Sequence, residues 1–120
     1  MAVKNYSELI AWQKAMDLVE MVYRTSFAFP KEEVYGLRIQ LRRAALSIPS
    51  NIAEGQGCLT TGEFLHFLSI ADGSLKELET QLMIAGRLGY LAPQEQSELS
   101  ELTAEVGRLA KGLIRSLQHH

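Results

Sequence analysis

The sequence holds one cysteine, three prolines and no long apolar run, and each shortage excludes a class of protein. Cys58 alone cannot close an internal disulfide, so the chain is no disulfide scaffold and reads as a reduced, cytoplasmic protein. No apolar segment approaches the ~18 residues of a membrane span, and residues 1–12 are polar and mixed in charge, unlike a signal peptide. No membrane partner is expected. Positive charge is not in excess either. Twelve Lys and Arg against 14 Asp and Glu leave a net charge of −2, which gives no global attraction to nucleic acid. Valine is scarce, 5 against 18 leucines, and that balance favours helix over sheet.

What is present is a helical rhythm over 120 residues, enough for one domain spanning 1–120. The first helix has Asn5 and Glu8 at capping-box spacing, then a stripe of Leu9, Trp12, Met16, Val19 and Tyr23. Pro30 suits the first position of helix two, with Glu32 and Glu33 in its first turn. That helix carries Leu37, Leu41, Ala44, Ile48 and Ile52 on one face, with a kink expected at Pro49 and a stop at Gly55 and Gly57. Thr60 and Glu63 form a capping box for helix three, and Leu59 and Phe64 have the spacing of a hydrophobic staple. Phe64, Leu68, Ala71, Leu75, Leu78, Leu82 and Ala85 follow in a three-four pattern. Pro93 opens helix four, striped by Leu99, Leu102, Val106, Leu109, Leu113 and Leu117, with acidic residues early and basic residues late. Four helices with short connections make an all-α, up-down-up-down bundle the economical solution.

The second helix carries a further signal. Ile39 and Leu46 fall at roughly 180° from the core stripe, and Leu65, Phe67 and Ile70 widen the apolar arc of helix three. These five are the candidate interface for self-association. Arg38, Arg42 and Arg43 form the one local basic cluster. They suit either carboxylates across a subunit interface or phosphate, repeated around an oligomer. Gln40, Ser47, Asn51 and Glu54 make a polar line suited to fixing register between helices.

Signals for catalysis are thin. Glu63 and His66 have the spacing of one half of a di-iron site, yet the second pair and further glutamates are missing and both lie off the core stripe. Cys58 has only His66 as a nearby base, and Gly55-Gln-Gly57 is not followed by the lysine of a phosphate loop. No enzyme, metal or cofactor is expected.

Trp12-Gln-Lys-Ala-Met-Asp-Leu18, Tyr35-Gly-Leu37 and Gln40-Leu-Arg-Arg-Ala-Ala45 together resemble a known family, as do Ser47-Ile-Pro-Ser-Asn-Ile-Ala-Glu-Gly55 and Glu63-Phe-Leu-His-Phe-Leu-Ser-Ile-Ala71. It is the four helix bundle protein family, which includes proteins encoded in intervening sequences of bacterial large-subunit ribosomal RNA genes. The accessory variability protein of diversity-generating retroelements is related to it. The resemblance covers nearly the whole chain and is most specific in helices two and three. It implies an antiparallel four-helix bundle assembled as a homopentameric ring, with no established activity. The retroelement relatives bind nucleic acid and a reverse transcriptase, and Arg42 and Arg43 match the motif. The expectation is therefore a non-catalytic homo-oligomeric scaffold or adaptor. The alternative is weak RNA or DNA binding through Arg38, Arg42 and Arg43 around the ring.

Overall fold

The computed structural model describes Tyr6 and residues 9–119. Within them lie four α-helices, α1 Ile10–Ser26, α2 Leu37–Gln56, α3 Thr61–Arg87 and α4 Pro93–Gln118, and no strand. A single 3-10 turn, Lys31–Glu33, lies between α1 and α2. The expected Asn5–Glu8 cap lies outside the described residues. α1 and α3 each pack on both α2 and α4, so every helix has two neighbours around one shared core.

Helices α2 and α3 bury the faces their periodicity predicts. Leu41, Ala44, Ile48 and Ile52 on α2 meet Leu68, Ala71, Leu75, Leu78, Leu82 and Ala85 on α3 in the core cluster. Helices α1 and α4 are rotated from expectation. The buried line of α1 is Ala11, Ala15, Leu18, Val22 and Ser26, while Met16 is exposed and Trp12, Val19 and Tyr23 are half-buried. In α4, Thr103 and Ala110 join Leu99 and Val106 inside, and Leu102, Leu109, Leu113 and Leu117 lie on the flanks. Small inward residues let helices approach closely, and the larger ones beside them cover the seams. Counting apolar bulk alone therefore picks the wrong centre for both stripes.

The caps also depart from expectation in instructive ways. Helix α2 begins at Leu37 rather than Pro30, because the Glu33 carboxylate accepts the Leu37 amide (3.0 Å) and so caps it. The other oxygen of Glu33 accepts the Tyr90 hydroxyl (2.9 Å), tying the start of α2 to the α3–α4 turn. At α3, Thr60 accepts the Glu63 amide (3.1 Å), but the Glu63 carboxylate takes the Thr60 hydroxyl (2.9 Å). Leu59 is 98% exposed, so the Leu59–Phe64 staple does not form. Helix α3 closes on Gly89 at φ 78°, with the Tyr90 amide returning to the Ala85 carbonyl (2.9 Å). Pro93 stands at the start of α4 as expected, with the Glu95 carboxylate accepting the Ala92 amide (2.9 Å).

Gly55 does not stop α2; it lies within the last turn, and Gly57 is the cap residue. Its role is close approach. A methyl there would lie 2.9 Å from the Phe64 ring and 2.9 Å from the Phe67 Cβ, which is anchored to the α3 backbone. A few residues back along α2, Ser74 donates to the Ser47 hydroxyl (2.7 Å) while Asn51 donates to that same hydroxyl (2.9 Å). Crowding and polar pairing together set the register of α2 on α3. Gly55→Ala should destabilise by about 1–2 kcal/mol, overpacking outweighing the helix propensity of alanine. Gly73→Ala, with nothing within 4 Å of the added methyl, should instead stabilise by up to about 1 kcal/mol. Urea unfolding of both variants checks this, and a Gly55→Ala protein as stable as Gly73→Ala would refute the close-approach role.

Candidate functional site

Two of the three candidate arginines, Arg38 and Arg42, sit where α1 ends against the first turns of α2. The last carbonyls of α1 lack intrahelical donors, and the helix dipole makes that end negative. Arg38 Nε donates to the Ser26 carbonyl (3.0 Å), and its terminal nitrogen donates to the Phe27 carbonyl. Arg42 Nε donates to the Ser26 hydroxyl (3.0 Å) and its terminal nitrogen to the Tyr23 carbonyl (3.1 Å). Both guanidinium groups also lie over rings, Arg42 at 4.3 Å from the Tyr23 centroid and Arg38 at 5.5 Å from Phe27. Two of the three arginines thus cap α1. Arg43 is exposed and has no hydrogen-bond or ion-pair partner among the described residues.

This end of the molecule carries an open groove of about 590 Å³ lined by Tyr23, Arg24, Phe27 and Arg42. Phe27 is 75% exposed at the end of α1. Sequence reasoning missed this feature: it placed Tyr23 in the core stripe, and no local signal marks Phe27 as outward. Beneath the end, Phe29 is buried with its ring 5.4 Å from that of Tyr90. The bonds from the Leu37 amide and the Tyr90 hydroxyl hold the Glu33 carboxyl below its usual range, while the Glu33 bond raises the Tyr90 phenol.

The five candidate interface residues do not share one face. Leu46 and Ile70 are exposed at 44% and 39%, while Ile39, Leu65 and Phe67 are half-buried. Phe67 is engaged by Gly55 at the α2–α3 seam. Leu65 lies about 140° around α3 from Ile70 and so belongs to a different surface. Along the polar line, Ser47 and Asn51 are bonded together at the α2–α3 seam, while Gln40 and Glu54 are exposed.

The residues considered for chemistry are not assembled. Glu63 is held by Thr60, and the exposed His66 ring stands edge-on to Phe67 at 5.5 Å. No group of three or more His, Cys, Asp or Glu able to hold a metal occurs among the described residues. Desolvation, followed by the nearby Glu63 and Glu54 charges, pushes the Cys58 thiol up, and the thiol donates to the Glu54 carbonyl (3.3 Å). That is opposite to the activation a nucleophilic cysteine needs.

Two outcomes test this geometry. Arg42→Ala should cost about 1–3 kcal/mol through lost caps and ring contact, and Arg42→Lys should not restore it because lysine lacks the fork. Arg43→Ala should stay within about 0.5 kcal/mol of wild type, and an equal loss there in denaturant unfolding would contradict the capping role. For Glu33, a lowered folded-state pKa contributes stability above the unfolded value that is lost as pH falls through the folded one. Stability measured against pH should therefore show the gap between wild type and Glu33→Gln full at neutral pH and closing in acid. A gap that does not change with pH would overturn the assignment.

The comparisons with known proteins agree with this architecture. A family model described as 23S rRNA-intervening sequence protein matches residues 7–112. A crystal structure from Bacteroides thetaiotaomicron, of a protein with unknown function from the S23 ribosomal protein family, superimposes with a TM-score of 0.80. Identity is 21%, with 88% of this chain and 96% of that chain covered, so the likeness is one of fold. No curated protein matches the sequence. No helix among the described residues is long and apolar enough to cross a membrane. The family match runs from before α1 into the last turns of α4, and on that extent the chain belongs to the 23S rRNA-intervening sequence protein family.

Proposed function

We propose that this chain is a non-catalytic scaffold or adaptor of the cytoplasm, an antiparallel four-helix bundle that assembles with copies of itself into a pentameric ring. The observation that carries the reading is a second apolar stripe outside the core. On α2, Ile39 and Leu46 fall within about 20° of each other on the side away from Leu41 and Ile48. On α3 and its C-cap residue, the exposed Ile70, Ile84 and Leu88 fall within about 40° of one another. Apolar side chains grouped in this way on an outer surface mark contact with another protein. The antiparallel course is supported by contacts in which late residues of one helix meet early residues of the next. Gly55 lies against Phe64, and the Gln96 amide donates to the Leu82 carbonyl (3.2 Å). The ring number follows from the resemblance of the α2 and α3 motifs to the pentameric family.

The second reading, RNA or DNA held by Arg38, Arg42 and Arg43, draws its support from the exposed Arg43. It is the weaker of the two, because Arg38 and Arg42 already spend donors on the end of α1. The native mass of untagged protein at low salt separates them. A mass near five chains with no nucleic acid supports the scaffold, and assemblies that shed nucleic acid on adding salt support the second reading. Leu46→Glu should lower the assembly mass while leaving helicity unchanged; an unaltered mass would remove Leu46 from the interface.

A further inference from the structure

Self-association leaves open which surfaces meet, and the distribution of unpaired charge addresses that. Only two ion pairs occur among the described residues, Lys14–Glu105 at 3.9 Å and Lys76–Glu79 at 3.5 Å. Among the described residues no carboxylate pairs with Arg24, Arg38, Arg42 or Arg43. Arg24 and Arg42 line one groove with Tyr23 and the exposed ring of Phe27, and Arg38 donates to the Phe27 carbonyl beside it. On the other side of α1 lies a second open groove, of about 630 Å³. Its walls are Glu98, Glu101, Glu105 and Arg108, and its floor is Met21 and Leu102. The two are comparable in size and opposite in dominant charge. Met21 and Tyr23 stand about 160° apart around α1, so the grooves flank that helix from opposite sides.

Resting on the self-association reading, we infer that the Tyr23–Phe27 groove of one copy receives the acidic edge of α4, centred on Glu98 and Glu101, of the next copy. A two-fold contact through the basic groove would set arginine against arginine. Joining unlike grooves pairs charge, and each copy then offers both halves, the head-to-tail arrangement that closes into a ring. A separate acidic partner would satisfy the basic groove but leave the acidic one open, whereas a second copy fills both. Ile39 and Leu46 lie three and four residues from Arg42, on the same side of α2.

Arg24 and Glu101 are both exposed and neither contributes to the core, so charge reversal at either should leave the fold intact. Arg24→Glu and Glu101→Arg should each weaken assembly by about tenfold or more in sedimentation experiments, and the double variant should recover it. Raising salt from about 0.05 to 0.5 M should weaken the wild-type assembly too, and circular dichroism on each variant checks that helicity is kept. Wild-type protein that assembles, with both single variants and added salt leaving its mass unchanged, would overturn this contact while sparing the scaffold. Single variants that dissociate without rescue in the double would overturn the pairing of these two residues. A wild-type protein that stays a single chain would overturn self-association itself, and this inference with it.

Discussion

Helix α2 can lie against α3 only because residue 55 has no side chain. The added methyl of any other residue would meet the Phe64 ring and the Phe67 Cβ at 2.9 Å, and the second atom cannot move without α3. From that contact the Ser47–Ser74 bond places the next turns, and the Leu41, Ile48 and Ile52 line drops between Leu68, Leu75 and Leu78. The α2–α3 pair is the most extensive in the molecule. Helices α1 and α4 are laid over it with Ala11, Ala15, Thr103 and Ala110 inward beside Leu18, Val22, Leu99 and Val106.

The end of α1 shows how a requirement of folding and a candidate function compete for the same atoms. Helix α1 stops with carbonyls that need donors, and the chain brings Arg38 and Arg42 back over them after the Lys31–Glu33 turn. Guanidinium groups suit this because one planar fork reaches two acceptors and still stacks on a ring. The cost is that their positive charge is partly spent on the helix dipole. What is left for a partner is the outer edge of each fork, the free Arg24 and Arg43, and the exposed ring of Phe27. Such a surface suits another protein carrying carboxylates beside apolar side chains better than it suits a continuous phosphate backbone.

The side chains without a structural duty lie on the outer surfaces of the bundle. The family description names no activity and the structural relative is a protein with unknown function, so neither supplies a chemistry. The individual residues agree: Cys58 is held as a thiol, Glu63 is occupied by Thr60, and Ser47 and Asn51 bond to each other and to α3. These polar groups are spent on register and caps. The exposed apolar groups on α2, α3 and the end of α1 have no such duty.

The helical class, the number of helices and the inner faces of α2 and α3 were legible from the residues alone. Those properties follow from local periodicity, in which the long three-four runs of α2 and α3 outweigh the few apolar residues on their other faces. Also legible were the Thr60 cap and the Pro93 start, which need only neighbours a few residues away. Tertiary structure decided which face of α1 and α4 turned inward, because each offers two adjacent stripes and the fit of Ala15 or Ala110 against a partner chooses between them. It decided that Glu33 caps α2 and holds Tyr90, a bond across 57 positions. It decided, finally, that Arg38 and Arg42 cover the end of α1 while Phe27 faces out. A side chain's charge is written in the sequence, but the acceptors it meets depend on where a distant helix ends.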